Sequence, residues 1–128
     1  MCVKARIASI KNLRVGDCVG YGMRFTAEKP MRIGVVPIGY GHGYPRVRNQ
    51  GTVLVHGQRA PIIGGVSMDA MTVDLTSIIE AQQWDDVTLL GRSDQDEISI
   101  HDIAALRNSV SYDAMVSWSA RLPRVYVE

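Results

Sequence analysis

Thr52-Val53-Leu54-Val55-His56-Gly57-Gln58-Arg59-Ala60-Pro61-Ile62-Ile63 is the stretch that sets the fold class. The runs Thr52 to His56 and Arg59 to Ile63 are aliphatic and flank His56-Gly57-Gln58, and a glycine-bearing turn between two such runs signals a β-hairpin. Working outward, Arg32 to Ile38 reads as a strand buried on both faces. Val3, Ala5 and Ile7 alternate with Lys4, Arg6 and Ala8, as in a half-buried strand. Asn12 to Asp17 reads as a polar connection, and Cys18 to Tyr21 as a short apolar segment closed by Gly20 and Gly22. Ala70 to Leu75 alternates again, Asp86 to Leu90 precedes a turn over Gly91 to Gln95, and Glu97 to Ile100 is a further strand. About eight short strands at close spacing favour an antiparallel barrel or sandwich.

The last third has a different pattern. Ser99-Ile100-His101-Asp102 offers side-chain acceptors for a helix start, and Ile103, Leu106 and Arg107 follow at helical spacing. Ser111 is placed to cap a second helix carrying Tyr112, Met115 and Val116 on one face. Pro123 ends it, and Arg124 to Val127 reads as a closing strand. The expected fold is mainly β: an antiparallel β-barrel of about eight short strands, with two short helices near the C-terminus, in a single domain over residues 1–128.

Charge is nearly balanced, with 14 Lys and Arg against 13 Asp and Glu, and no block is dense in basic residues. Nucleic acid is therefore not an expected partner. The apolar stretches are far shorter than a membrane span. Met1-Cys2-Val3-Lys4-Ala5-Arg6 mixes apolar and basic residues and does not read as a secretory leader. Cys2 and Cys18 give neither a disulfide framework nor zinc spacing; they read as small buried side chains in a reducing, cytoplasmic setting. His42, His56 and His101 are dispersed and form no metal-ligand motif, so no metal site is expected.

Chemistry-bearing residues cluster around glycine. Gly39-Tyr40-Gly41-His42-Gly43-Tyr44-Pro45-Arg46 follows an apolar strand directly, and a loop held by a rigid strand is where sites are built. Its plainer reading is a glycine-rich hairpin with surface tyrosines. Tyr21 stands between Gly20 and Gly22, and Tyr112 lies in the first turn of the second helix. A phenol, with its pKa of about 10, works as an acid or base only where its surroundings stabilise the phenolate. Val66-Ser67-Met68-Asp69 follows Gly64-Gly65 after a strand, so its backbone amides can face an anion. A plain turn is the alternative.

These pieces, in this order, resemble the C-terminal domain of alanine racemase, a family of pyridoxal-phosphate enzymes. The residues that carry the resemblance begin with Val19-Gly20-Tyr21-Gly22 and Ile38-Gly39-Tyr40 with Gly43-Tyr44-Pro45-Arg46. They continue through Val53-Leu54-Val55 with Gly57, Pro61-Ile62 with Gly64, Val66-Ser67-Met68-Asp69 and Val73-Asp74-Leu75. Ile100 with Asp102, Ser111-Tyr112, and Arg121 with Pro123-Arg124-Val125 complete them. The resemblance implies a longer enzyme. An N-terminal α/β barrel, which needs roughly 250 residues, would carry pyridoxal 5'-phosphate on a lysine, and this chain would be the mainly β domain that follows it. It implies a cytoplasmic homodimer that interconverts L- and D-alanine and supplies D-alanine for peptidoglycan. The isolated domain is expected to be inactive.

By the same resemblance, racemisation uses two bases on opposite faces of the substrate. The barrel lysine serves one face, and Tyr21, contributed in trans by the partner subunit, serves the other. Met68 corresponds to the residue whose backbone amide holds the substrate carboxylate, with Ser67 beside it. Tyr112 corresponds to the tyrosine that reaches the cofactor phosphate. Tyr40, Arg46, Asp69, Val110 and His42 correspond to residues of the substrate corridor or its rim.

Two departures stand out. The family commonly has Gly-Tyr-Ala-Asp-Gly where this chain has Gly39-Tyr40-Gly41-His42-Gly43, and an arginine where this chain has Gly65. Both bear on access and selectivity, which leaves a racemase for serine or for a broader range of amino acids as a variant. The non-catalytic alternative is a stand-alone β-barrel module for binding or assembly. Its support is that Lys4, Lys11 and Lys29 show no Schiff-base context.

Overall fold

In the computed structural model, which describes residues 1–19 and 25–126, the hairpin forms where the sequence places it. β6 (Thr52–Val55) and β7 (Gln58–Ile63) pair through Val55 and Gln58, which leaves a two-residue turn of His56 and Gly57. Both turn residues have positive φ, at 52° and 71°, as a type I′ turn requires and as the right-handed twist of the strands favours. Val53, Leu54 and Val55 are fully buried, so β6 is covered on both faces.

The remaining strands are β1 (Val3–Arg6), β2 (Ser9–Leu13), β3 (Cys18–Val19), β4 (Phe25–Thr26), β5 (Met31–Val36), β8 (Met71–Asp74), β9 (Asp86–Ser93) and β10 (Asp96–Ile98). An eight-stranded antiparallel sheet runs in the order β1-β9-β6-β7-β8-β5-β2, with β10 added on β9; β3 and β4 form a separate ribbon. Its two edges, β1 and β2, are consecutive in the chain. At the corner between them the Ile7 amide donates to the Asp85 carbonyl (3.0 Å) and the Ala8 amide to the Val35 carbonyl (2.8 Å). One bent segment therefore changes partner, and the sheet is closed by the chain and not by a ladder of hydrogen bonds.

A second corner lies in β7, whose residues 58–61 pair with β6 and residues 62–63 with β8. Pro61 stands at the switch, where the missing amide hydrogen disfavours a continuous ladder. The fold is barrel-like, and Ile7, Val36, Val53, Val55, Leu75, Val87 and Leu89 are among the side chains of its core.

The first helix follows the expectation closely. α1 (Ile100–Arg107) starts at Ser99, whose hydroxyl accepts the Asp102 amide (3.1 Å), while the Asp102 carboxylate accepts the Ser99 amide (2.8 Å). This reciprocal box satisfies two of the amides that a helix start leaves without partners. α2 (Ser111–Val116) is shorter than expected: Val110 occupies its N-cap with no side-chain bond, and it ends at Ser117, well before Pro123.

Other expectations need correcting. Part of the presumed polar connection is β2, an edge strand whose outward residues Lys11 and Asn12 hide its periodicity. β9 continues through Gly91 to Ser93, and the turn sits at Asp94 and Gln95, between the paired Ser93 and Asp96. Gly91 lies at φ 114° with the Cys2 side chain packed over it. Residues 124–126 are not a strand. Cys2 and Cys18 are both free and exposed rather than buried, because each sits on a peripheral element with no covering layer. Among the described residues no helix is long and apolar enough to cross a membrane, and no cluster of three metal-ligating side chains occurs.

The β10 hairpin is tied to β7 by a two-pronged ion pair, Arg59 Nε to Asp96 Oδ2 (2.9 Å) and Nη2 to Oδ1 (3.1 Å). Hydrogen bonding from Arg59, then from the Glu97 amide, lowers the Asp96 pKa to about 2 from 3.8. A depressed folded-state pKa means that the unfolded chain takes up the proton first. The contribution is thus complete above pH about 4 and lost as pH falls toward about 2. Asp96→Asn is expected to lower the melting temperature at neutral pH, with the gap from wild type closing between about pH 4 and pH 2. A series of thermal melts across that range checks this; a gap independent of pH would contradict it.

Candidate functional site

After β5 the chain turns into a single 3-10 turn, Tyr40–His42. The first amides of any helical turn have no partner within it. Here a second loop supplies the partners. Tyr40 donates to the Ser67 carbonyl (3.0 Å) and Gly41 to the Met68 carbonyl (2.8 Å). The Gly39 amide donates to His42 Nδ1 (3.1 Å), so the imidazole folds back and caps its own turn. With Nδ1 accepting, the ring proton sits on Nε2.

The approach of the two loops depends on missing side chains. A Cβ on Gly39 would collide with the Ser67 carbonyl and stand 2.7 Å from the Met68 carbonyl oxygen. A Cβ on Gly41 would lie 2.8 Å from Met68 Cγ and 2.9 Å from Met68 O. Neither glycine is needed for its backbone angles. Gly43 is needed for both reasons, with φ 106° and the Ser117 carbonyl in the path of a side chain.

Peptide planarity carries the argument one step further. A trans peptide points its N–H opposite to its C=O. With the Ser67 and Met68 carbonyls both aimed at the Tyr40 turn, the Met68 and Asp69 amides both point away from it. Among the described residues neither donates to any acceptor. Two consecutive amides facing the same way form a concavity suited to a carboxylate or another anion. Ser67 closes the loop. Its amide and hydroxyl donate to the Ala70 carbonyl, and its oxygen accepts the Ala70 amide, so the hydroxyl is engaged inside the loop.

Around this nest stand Met68, half exposed, and Tyr40, whose ring carries the Arg46 guanidinium 5.2 Å from its centroid. Asp69 pairs with Arg121 through Oδ1 and Nη2 at 3.2 Å. Of the sequence-derived candidates the structure brings together Tyr40, His42, Arg46, Ser67, Met68 and Asp69. Val110 and Tyr112 lie apart, at the start of α2, and are exposed by 47% and 73%. No hydrogen bond joins them to the two loops among the described residues. Tyr21 lies outside the described residues.

α2 is nonetheless anchored to the same turn. The Gly43 carbonyl accepts from Arg107 Nη2 and from the Ser117 hydroxyl, and the His42 carbonyl accepts the Ser119 amide (2.9 Å). Beneath lies Tyr44, buried against Trp118 with ring centroids 6.3 Å apart. Burial pushes the Tyr44 phenol far above its ordinary value, so this tyrosine of the motif is a packing residue and not a proton carrier. The contacts of Arg107, Arg121 and Trp118 escaped the sequence reading, since they reach residues 52 to 74 positions away and no local pattern marks such pairs.

A paired substitution tests the clamp. Gly39 has an extended backbone that alanine tolerates, whereas its Cβ has no room; Gly65 has no atom within 4 Å of its Cβ position. Gly39→Ala is expected to cost about 1–3 kcal/mol of stability, and Gly65→Ala to stay within about 0.5 kcal/mol of wild type. Urea unfolding of both variants measures the difference; equal midpoints would contradict the close contact.

A family model described as alanine racemase, C-terminal domain, matches residues 1–126. An alanine racemase of Laribacter hongkongensis is 46% identical over 125 residues, covering 97% of this chain and 34% of that protein. The crystal structure of the biosynthetic alanine racemase from Pseudomonas aeruginosa superposes with a TM-score of 0.90 at 40% identity, over 99% of this chain and 35% of that one. The alanine racemase from Bartonella henselae, solved with covalently bound pyridoxal phosphate, gives a TM-score of 0.91 at 30% identity, over 98% and 34%. The chain spans about a third of the length of the curated relatives it matches.

Proposed function

The chain belongs to the alanine racemase C-terminal domain family, and we propose that it forms one half of the active site of a pyridoxal-phosphate-dependent alanine racemase. The other half would come from an N-terminal barrel domain, with Tyr21 reaching the site of the partner subunit in a homodimer. The product, D-alanine, would serve peptidoglycan synthesis in the cytoplasm. The observation that carries this reading is the pair of outward amides at Met68 and Asp69, fixed by the Gly39–Gly41 contact.

The residues of this chain fit such a role as donors and not as the carrier of the cofactor. Lys4 in β1, Lys11 in β2 and Lys29 are all exposed and stand on elements other than the two loops. The cofactor, when bound, supplies the electron sink that makes the Cα proton of alanine removable. What this chain adds is geometry. The Met68 amide holds the substrate carboxylate, which fixes the Cα–H bond relative to the bases on either face. Tyr40 and Arg46 line the way in. Tyr21 takes or returns the proton on one face, and Tyr112 offers its exposed hydroxyl to the cofactor phosphate.

Two variants of the full-length enzyme test these roles. Tyr21→Phe keeps the ring but removes the proton carrier, so one direction of racemisation is expected to fall by about 10² to 10⁴-fold while cofactor retention is unchanged. Initial rates from L- and D-alanine, with solvent-deuterium uptake, measure this; wild-type rates in both directions would exclude Tyr21. Tyr112→Phe removes one hydrogen bond to a charged oxygen, worth roughly 1.5–3 kcal/mol. It is expected to speed cofactor loss on dialysis, and unchanged retention would remove Tyr112 from the phosphate site.

A further inference from the structure

We infer that Arg121 is a positioning residue for the carboxylate-binding loop, holding the Asp69 side chain away from the amides that face the substrate. The inference rests on the reading of Met68 and Asp69 given above.

Asp69 poses an electrostatic problem. Its amide belongs to the outward pair, yet its own side chain is an anion on the same residue. Left free, an aspartate carboxylate bends readily onto nearby backbone amides. It would then occupy the donors that a substrate carboxylate needs, and it would repel that carboxylate as a like charge. Arg121 prevents both by binding Asp69 Oδ1 through Nη2 (3.2 Å) and by placing a cation that offsets the charge.

The guanidinium is itself held. Its Nη1 lies 3.0 Å from the Cβ position of Gly41, in the space that the missing side chain leaves open. The Arg121 amide donates to the Ser119 hydroxyl (3.0 Å), and the Ser119 amide donates to the His42 carbonyl (2.9 Å). The segment that follows α2 is therefore stitched to the Tyr40 turn, and Arg121 reaches from it to the second loop. Glycine at position 41 serves both contacts, one to Met68 and one to Arg121.

Both side chains are more than half exposed, and pairs of this kind contribute little to overall stability. The consequence expected is therefore local order and substrate affinity. In the full-length enzyme, Arg121→Gln should raise KM for alanine about tenfold with kcat within about threefold of wild type, the pattern of lost ground-state binding. Arg121→Lys should recover part of the loss. Asp69→Asn removes the charge that has to be held, so Arg121→Gln in that background should change KM by less than about twofold, a coupling that independent sites would not show. Hydrogen exchange gives a readout independent of catalysis: amides 67–70 should exchange faster in Arg121→Gln, with the β6–β7 hairpin unchanged.

Wild-type KM together with wild-type exchange at 67–70 in Arg121→Gln would overturn the inference and leave the racemase reading intact. An equal KM increase in the Asp69→Asn background would overturn it as well. Faster exchange at 67–70 in a full-length protein with no racemase activity would support the positioning of the loop by Arg121 and overturn the proposed reaction.

Discussion

Two backbone segments meet without a side chain between them, and the site depends on that contact. The carbonyls of Ser67 and Met68 reach the first amides of the Tyr40 turn only because positions 39 and 41 carry no Cβ. One contact then does three things. It satisfies the amides that a helical turn leaves open at its start. It turns the next two amides outward, in a geometry that suits an anion. It also leaves a slot beside Gly41 for the guanidinium of Arg121. Hydrogen-bond geometry between loops is normally adjustable; here the planarity of two peptides transmits it rigidly from one side of the loop to the other.

The barrel supplies the rigidity that such a contact needs. β5 delivers the Tyr40 turn, while the chain leaving β7 delivers the Ser67 loop and continues into β8, and β8 pairs with both β5 and β7. The two loops thus leave the two strands that flank β8 in one half of the sheet. Closure by the bent segment at Ile7 and Ala8, in place of a continuous ladder, holds the two halves of the sheet together through the covalent chain. Trp118 and Tyr44 fill the space beneath, and the Gly43 and His42 carbonyls tie the helical end of the molecule to the same turn. Tyr112 on α2 is in this way referenced to the loop that carries Met68, although the two do not touch.

Much of this was legible in the sequence because it is encoded locally. The His56-Gly57 turn and the capping pair of Ser99 and Asp102 each lie within a few residues and formed as expected, while the buried run expected over Arg32 to Ile38 formed as β5 and stops at Val36, before Pro37. β2 escaped because the consecutive Lys11 and Asn12 are both exposed, which breaks the alternation of a half-buried strand, and the extension of β9 because Gly91 reads as a turn while acting as a kink. Cys2 and Cys18 were misplaced because the average burial of cysteine says nothing about a peripheral element. At the site, the motif Val66-Ser67-Met68-Asp69 read as a loop whose amides can face an anion, but the reason for their direction lies in Gly39 and Gly41, nearly 30 residues upstream. His42 was expected to line a corridor; its Nδ1 closes its own turn, a bond visible only once the 3-10 geometry is known. Arg121 was legible as part of a motif but not as a partner of Asp69, since an ion pair across 52 positions leaves no trace in a single sequence.

The most direct measurement is a crystal structure of the full-length protein with its cofactor and a non-racemisable alanine analogue. The account requires a carboxylate oxygen of the analogue within about 3.2 Å of the Met68 amide nitrogen, with the Tyr40–Ser67 and Gly41–Met68 bonds intact. A carboxylate bound elsewhere, or a loop in which those two bonds are broken, would contradict it.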